Sequence, residues 1–341
     1  MKQINWGIIG LGNIAEQFAE AFQYSDNARL VAIASLDKNK IFKFKKRFQI
    51  EEKYCFDSYE KLLLSHDIDI VYIALPNSHH HKWIVNSIKC NKNFLVEKPA
   101  VINLHEIEDI KKNHYKNNVF FGEALMYLYH PQILKIIELI KNNTIGKLLS
   151  METFFGNNII TKKNFLGFEK NKKIDPKNRK YNAELGGGVI LDLGCYTVSF
   201  STLIASLISN IDYDKAQISN KKIELGATGV DVDASAEIIF ENGFKSRMSA
   251  SFTKDIGKKT RIIGSKGELI IENTWHANPS EINIINVENK KIKVSSRDNV
   301  FSYEIEAISR SILDNKKKPN FPGLSIEETY GNMKLIDKWL N

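Results

Sequence analysis

Gly7-Ile8-Ile9-Gly10-Leu11-Gly12-Asn13-Ile14-Ala15 is a short apolar run that ends in glycines and passes at once into a helical stripe of Ile14, Phe18, Ala21 and Phe22. Its central part, Gly10 to Ala15, has the form G-x-G-x-x-A. The first glycine permits a tight turn, the second lets backbone approach a diphosphate, and the small third residue lets helix and strand pack closely. A diphosphate would then rest on the N–H groups of the helix terminus. Gly10, Gly12, Asn13 and Ile14 are therefore candidate cofactor-binding residues. Glycine clusters also occur in plain strand-to-helix turns, but this one follows the first strand and opens the first helix, which favours the dinucleotide reading.

Outward from this loop the first half of the chain alternates strand and helix. Leu30-Val31-Ala32-Ile33-Ala34 is a continuous, β-branched run that reads as a buried strand, and Ile41, Phe44 and Phe48 mark an amphipathic helix after it. Further strands are expected over 69–75, 93–96 and 119–121, with helices over 82–90 and 103–114. This alternation predicts parallel βαβ units in a doubly wound sheet. After residue 122 the texture changes. A helix over 131–142 and a strand over 147–155 lead to a polar loop over 157–182, then to a glycine cluster opening another helix. Strands follow at 223–228, 234–240, 244–252, 260–263, 268–271 and 281–294, separated by turns such as Asn242-Gly243 and Lys266-Gly267. Helices over 303–315 and 325–340 close the chain. The expectation is an α/β domain over 1–122 and an α+β domain with a largely antiparallel sheet over 123–341.

The composition, 43% hydrophobic and 26% charged over 341 residues, is that of a globular chain with a large core. Met1-Lys2-Gln3-Ile4-Asn5-Trp6 runs straight into strand pattern, without the basic and apolar regions of a secretory signal. No apolar stretch is expected to reach the roughly 20 residues that span a bilayer. Cys55, Cys90 and Cys195 form no CxxC pair, which suits a reducing compartment. A cytoplasmic protein without a membrane partner is expected. The net charge of +8 comes from lysines scattered among asparagines and isoleucines, with Lys316-Lys317-Lys318 as the tightest cluster. That argues against nucleic acid, while the positive field suits a phosphorylated cofactor or substrate.

The choice between NAD and NADP falls near the end of the second strand, where an acid would bind a ribose 2′-hydroxyl. Here stands Ala34-Ser35-Leu36-Asp37-Lys38. Ser35 suits a phosphate or a hydroxyl, Lys38 or Lys40 supplies charge, and Asp37 is either a late acid for NAD or the cap of the next helix. The balance favours NADP.

Two segments carry the chemistry. Val96-Glu97-Lys98-Pro99 ends a strand on the carboxyl side of the sheet, where ligands of such folds gather. A partly desolvated lysine there polarises a carbonyl or eases loss of a hydroxyl proton; a plain surface lysine is the commoner use. Gly186-Gly187-Gly188-Val189-Ile190-Leu191-Asp192-Leu193-Gly194-Cys195-Tyr196 puts Asp192 and Tyr196 four apart, on one face of a helix. The glycines let backbone come close to a ligand. Tyr196 would exchange a proton with the substrate oxygen, Lys98 would ease the developing negative charge, and Asp192 would orient lysine or substrate. Otherwise Asp192 is a helix N-terminal charge, Tyr196 a core aromatic, and Cys195 a small buried thiol.

The chain resembles the glucose–fructose oxidoreductase / inositol dehydrogenase (Gfo/Idh/MocA) family. The resemblance rests on the glycine loop, Ala74-Leu75-Pro76-Asn77-Ser78-His79-His80, Glu97-Lys98-Pro99, Glu123-Ala124-Leu125-Met126-Tyr127 through His130-Pro131, and Glu184-Leu185-Gly186-Gly187-Gly188 through Tyr196, in family order and spacing. It implies a Rossmann domain, then a domain with a large open sheet that serves substrate binding and homo-oligomerisation (dimer or tetramer). It also implies NAD or NADP and catalysis by Lys98, with Leu75, Pro76, Asn77, His80 and Glu97 in the cofactor pocket. Many members have histidine where this chain has Tyr196. The tyrosine resembles the branch with sugar 1-dehydrogenases, dihydrodiol dehydrogenase and nucleotide-sugar ketoreductases. Leu36 departs from the arginine of many NADP-using relatives. The implied activity is hydride transfer between nicotinamide and a carbinol or ketone carbon of a sugar, polyol or nucleotide sugar. A sensor that kept the fold and lost the chemistry would be expected to lose Lys98 or its partners.

Other residues admit two uses. His79-His80-His81 lacks companion ligands at metal spacing, so no metal site is expected. Glu123 is a substrate candidate or a loop anchor, His130 a cleft residue or a buried histidine, and Arg179 a substrate ligand or a solvated loop arginine.

Overall fold

The fold is described from a computed structural model, which covers residues 2–163, 169–278 and 280–341. Part of the polar loop foreseen over 157–182 lies outside the described residues. The chain forms two compact units, Met1–His130 with Arg297–Tyr330, and Pro131–Ser296 with Gly331–Asn341. A division at residue 122 assigns everything beyond it to the second domain; in the fold, Arg297–Tyr330 instead returns to the first unit.

The first unit contains β1 (Ile4–Ile9), α1 (Asn13–Ala21), β2 (Ala28–Ala34), α2 (Lys38–Phe48), β3 (Cys55–Phe56), α3 (Tyr59–Leu63), β4 (Ile70–Ile73), α4 (His80–Lys89), β5 (Asn93–Glu97), α5 (Leu104–His114) and β6 (Phe121–Ala124). Its six strands are parallel in the order β3-β2-β1-β4-β5-β6. The chain reverses direction across the sheet between β1 and β4, which opens a crevice at their carboxyl ends. Strands buried on both faces need continuous apolar runs, and Ile70, Val71, Tyr72 and Ile73 are fully buried. Phe18 of α1 stacks on Tyr72, with ring centroids 3.8 Å apart.

The second unit contains α6 (Pro131–Lys141), β7 (Leu148–Gly156), β8 (Thr161–Lys163), β9 (Glu169–Asn171), a π-helical turn (Ile190–Gly194) running into α7 (Cys195–Ser206), and β10 (Gln217–Leu225). Then follow β11 (Asp231–Ile239), β12 (Lys245–Ser251), β13 (Thr260–Gly264), β14 (Glu268–Ile271), β15 (Glu281–Ile285) and β16 (Lys290–Lys293). Eight strands form one sheet in the order β10-β11-β12-β7-β13-β14-β15-β16, antiparallel except where β12 meets β7. The strand read over 281–294 is a hairpin, turning where Asn286 and Asn289 take left-handed backbone at φ 63° and 46°. Beneath the sheet Trp275 stacks on Phe155 at 5.5 Å between centroids.

α8 (Phe301–Leu313) belongs to the first unit, where Ser309 accepts the Trp6 indole N–H at 2.9 Å. α9 (Ile326–Leu340) closes the chain and divides between the units after Tyr330. One helical run, Ala183–Ser206, is long and apolar enough to cross a bilayer, contrary to the sequence expectation. Within the fold 94% of its apolar window is buried, because α7 is a core helix covered on all sides, its serine and threonine hydroxyls bonded mostly to backbone carbonyls of the helix itself.

Candidate active site

At the carboxyl end of β1, Gly10 has φ +89°, and a Cβ there would lie 2.6 Å from the Ala74 carbonyl oxygen and 2.7 Å from Leu75. The first glycine of the loop is thus required by the segment after β4, which brings Leu75 and Pro76 to the crevice. Gly12 differs: nothing lies within 4 Å of the Cβ it lacks. It stands at the N-cap of α1 with no side-chain cap. Backbone N–H groups at an uncapped helix start, beside a residue bare of side chain, suit a diphosphate. The dinucleotide fits these residues.

Asp37 caps α2, its carboxylate accepting the N–H groups of Asn39 and Lys40 at 2.9 and 3.3 Å. That resolves its two readings in favour of the cap. Ser35 is buried and its Oγ accepts the Asp37 N–H at 3.1 Å, while Lys38 and Lys40 are exposed at the helix start.

Lys98 lies just beyond β5, half-buried, in a turn fixed from two sides. His80 is fully buried, with Nδ1 2.9 Å from the Pro99 carbonyl oxygen and Nε2 2.8 Å from that of Leu75. The family-based expectation gave His80 to the cofactor. With no exposure and both ring nitrogens facing backbone carbonyls, it instead ties the Lys98–Pro99 turn to the segment after β4. Asn77 precedes it, buried, in a short 3₁₀ turn. Glu97 is buried and accepts the Tyr72 hydroxyl, so its carboxylate also serves the interior. Glu123 of β6 accepts the Ala100 N–H at 3.0 Å and the Thr329 hydroxyl at 2.9 Å. Burial pushes its pKa above the usual carboxylate range. Of its two sequence readings the anchor describes these bonds, and the substrate role is not supported by them.

In the second unit Asp192 and Tyr196 are both buried, at 4% and 6% exposure. Asp192 lies within the π turn rather than on a regular helix, so the one-face argument from α-helical spacing does not apply to it. Arg179 Nη1 stands 3.2 Å from Asp192 Oδ1, and Lys180 Nζ stands 3.7 Å from Oδ2. Lys180 also sits over the Phe252 ring at 5.2 Å. Sequence reasoning passed over Lys180; the doublet Arg179-Lys180 was the available signal. Tyr196 is packed edge-on against Phe155, at 5.2 Å between centroids, and against Trp275 at 5.7 Å. The glycine cluster serves the chain itself: a Cβ on Gly187 would come within 2.7 Å of the Arg179 and Asn182 carbonyl oxygens. Cys195 is buried.

The remaining histidines disperse. His79 is exposed and His81 Nε2 is 2.8 Å from Asp109. His130 is buried, which pushes its pKa down to about 4.

Residues 4–124 match the family "Oxidoreductase family, NAD-binding Rossmann fold", and residues 133–270 match the "GFO/IDH/MocA C-terminal domain". The chain is 30% identical over 251 residues to Oxidoreductase P35 of Formosa agariphila, covering 71% of this chain and 70% of that one. It is 27% identical to the trans-1,2-dihydrobenzene-1,2-diol dehydrogenase of Xenopus tropicalis over 334 residues, 95% of this chain and 93% of the relative. In fold it is similar to a 3-ketoreductase from Actinomadura kijaniata, solved with NADP and TDP-benzene, at a TM-score of 0.81 and 21% identity over 98% of this chain and 96% of that one. A glycine loop at the switch point of a 3-2-1-4-5-6 sheet, a lysine braced beyond β5 and these matches agree, and the chain belongs to the GFO/IDH/MocA family of NAD(P)-dependent oxidoreductases.

Proposed function

We propose that the chain transfers a hydride between NADP and a carbinol or ketone carbon of a sugar, polyol or nucleotide sugar. The observation that carries the reading is the bracing of Lys98, whose turn is held by His80 through Pro99 and by Glu123 through Ala100. A charged side chain on a rigid turn loses little order when it meets a substrate. When bound, the nicotinamide takes or gives the hydride. In oxidation, Tyr196 acts as its phenolate and takes the proton of the substrate hydroxyl, becoming the neutral phenol, and the Lys98 ammonium stabilises the negative charge developing on the substrate oxygen. In reduction, Tyr196 returns the proton. Asp192, held by Arg179 and Lys180, orients the proton-handling group, and Arg179 adds a donor for substrate hydroxyls or an anionic group.

NADP is favoured by Asp37, whose carboxylate is engaged at the α2 cap, and by the exposed Lys38 and Lys40 beside Ser35. The same reading takes the protein as a cytoplasmic homo-oligomer, dimer or tetramer, with its cysteines reduced. Titration calorimetry with NADPH and NADH, followed by turnover of sugars and nucleotide sugars by wild type and Lys98→Met, tests it. NADPH binding retained in both proteins, with turnover lost in the variant, is expected. Binding of neither cofactor, or full turnover by Lys98→Met, would overturn the reading.

A further inference from the structure

Asp231 opens β11, is only 7% exposed, and has no part in the reaction set out above. Its Oδ2 accepts the Ile190 N–H at 2.6 Å. Val189 stands immediately before the π turn and Ile190 is its first residue. Val189 has no side-chain cap to offer, so an acid 41 residues away in sequence from Ile190 satisfies this buried helix-start donor.

Gly188 is fitted to the same carboxylate. It has φ +115°, and a Cβ there would lie 2.2 Å from Asp231 Oδ1. The last glycine of the cluster is therefore clearance for a buried acid. Through β11, which pairs with β10 and β12, Asp231 ties the beginning of the π turn to the eight-stranded sheet. From that fixed start, Asp192 donates its N–H to the Gly188 carbonyl at 3.1 Å and presents its carboxylate to Arg179 and Lys180. π turns are rare and concentrate at functional sites, and one that starts a residue early or late would carry its side chains elsewhere.

The geometry points to Asp231 as a positioning residue that sets the start of the π turn, and through it the stance of Asp192 and Tyr196. It rests on the reading of Tyr196 as the proton-handling residue and Asp192 as an orienting one. The test compares wild type, Asp231→Ala, Asp231→Asn and Gly188→Ala as full chains. It reads NADPH affinity, kcat and KM across about pH 6 to 10, and amide exchange over residues 189–196. Asp231→Ala is expected to leave NADPH affinity within about twofold and to lower kcat about 10- to 100-fold, the range a small misplacement of a catalytic group produces. Its pH–rate profile shifts and exchange at Ile190 accelerates. Asp231→Asn keeps one acceptor and recovers most of the lost kcat, while Gly188→Ala shows the same kinetic defect.

An acid that merely stabilises the fold would lower the melting temperature but leave kcat per folded molecule and the pH profile as in wild type; that result overturns the proposal. Should Asp231→Ala fail to fold, Gly188→Ala decides, and wild-type kcat and profile in that variant overturn it equally. If wild type binds neither cofactor, the catalytic reading fails by itself and the exchange measurement still judges Asp231. Unchanged protection at 189–196 on loss of the carboxylate then refutes its hold on the turn, and accelerated exchange sustains it.

Discussion

Thr329 donates its hydroxyl to Glu123 Oε2 at 2.9 Å, while the other oxygen of the same carboxyl takes the N–H of Ala100, two residues past Lys98. Residues 206 apart in sequence thus meet in the first unit at the foot of the candidate catalytic turn. Losing one buried hydrogen bond costs about 1 kcal/mol, and leaving a buried donor unmet costs about 1–3 kcal/mol. Thr329→Val should therefore destabilise the protein by about 1 kcal/mol in urea unfolding, with little change in kcat. Glu123→Ala should cost about 2–3 kcal/mol and also lower kcat, since the turn loses its support.

Glu304 of α8 is fully buried, and among the described residues neither carboxyl oxygen has a hydrogen-bond partner. Burial raises its pKa well above the usual value, and the nearby Glu97 carboxylate adds to the effect. With the folded pKa raised, the unfolded chain ionises this group first as pH rises. Its contribution to stability is therefore complete below the unfolded value near 4.5 and declines as pH climbs toward the folded one. Glu304→Gln should unfold at a higher temperature than wild type at pH 8, with the difference shrinking toward pH 4. A difference that grows on acidification would contradict the assignment.

Arg179 is about half exposed and Lys180 a third exposed, whereas Asp192 between them is buried. Screening limits what either ion pair adds to stability, to about 1 kcal/mol or less. Their larger effect should be on turnover, because removing both cations strips a buried carboxylate of both of these ion pairs. Arg179→Met or Lys180→Met alone should reduce kcat/KM several-fold. The double variant should fall further than the product of the two, as measured by a double-mutant cycle.

Cofactor preference is checked at the β2 end. Ser35→Asp with Lys40→Glu puts negative charge where the 2′-phosphate is proposed to lie. NADPH affinity should fall at least tenfold, about 1.4 kcal/mol, while NADH affinity holds or improves. Equal weakening of both cofactors would move the phosphate away from α2.

The first unit was legible because its central strands are buried on both faces and its longer helices are amphipathic, so hydrophobic period separates them, while the two-residue β3 and five-residue α3 were too short to read. The second was less so. No glycine or proline marks the turn between β15 and β16, which is made where Asn286 and Asn289 take left-handed backbone. Pairing of β12 with β7 is parallel and links segments about 95 residues apart, for which local pattern carries no signal. Lys98, Asp192 and Tyr196 were proposed from residue type and motif. Glu123 was read as a possible anchor, but what it anchors was not legible, and His80 was named without its bracing role, since bracing depends on backbone atoms brought close only by the fold. Asp231 was invisible because it fell between the strands read over 223–228 and 234–240, with nothing in the sequence to say that it opens β11 and is buried.

The π turn also makes the chain sensitive to length. A π turn holds one residue more than an α turn, so shortening Ile190–Gly194 by a single residue would let it relax into regular α-helix. With α7 locked in the core, the segment before the turn would keep its direction, because an α turn with one residue fewer spans nearly the same angle, while the residues inside the turn would be redistributed around the axis. Asp192 would leave Arg179 and Lys180 although every side chain involved remained in the sequence. A one-residue deletion here should therefore silence the enzyme more completely than most substitutions, and inserting one residue a turn earlier should not restore it.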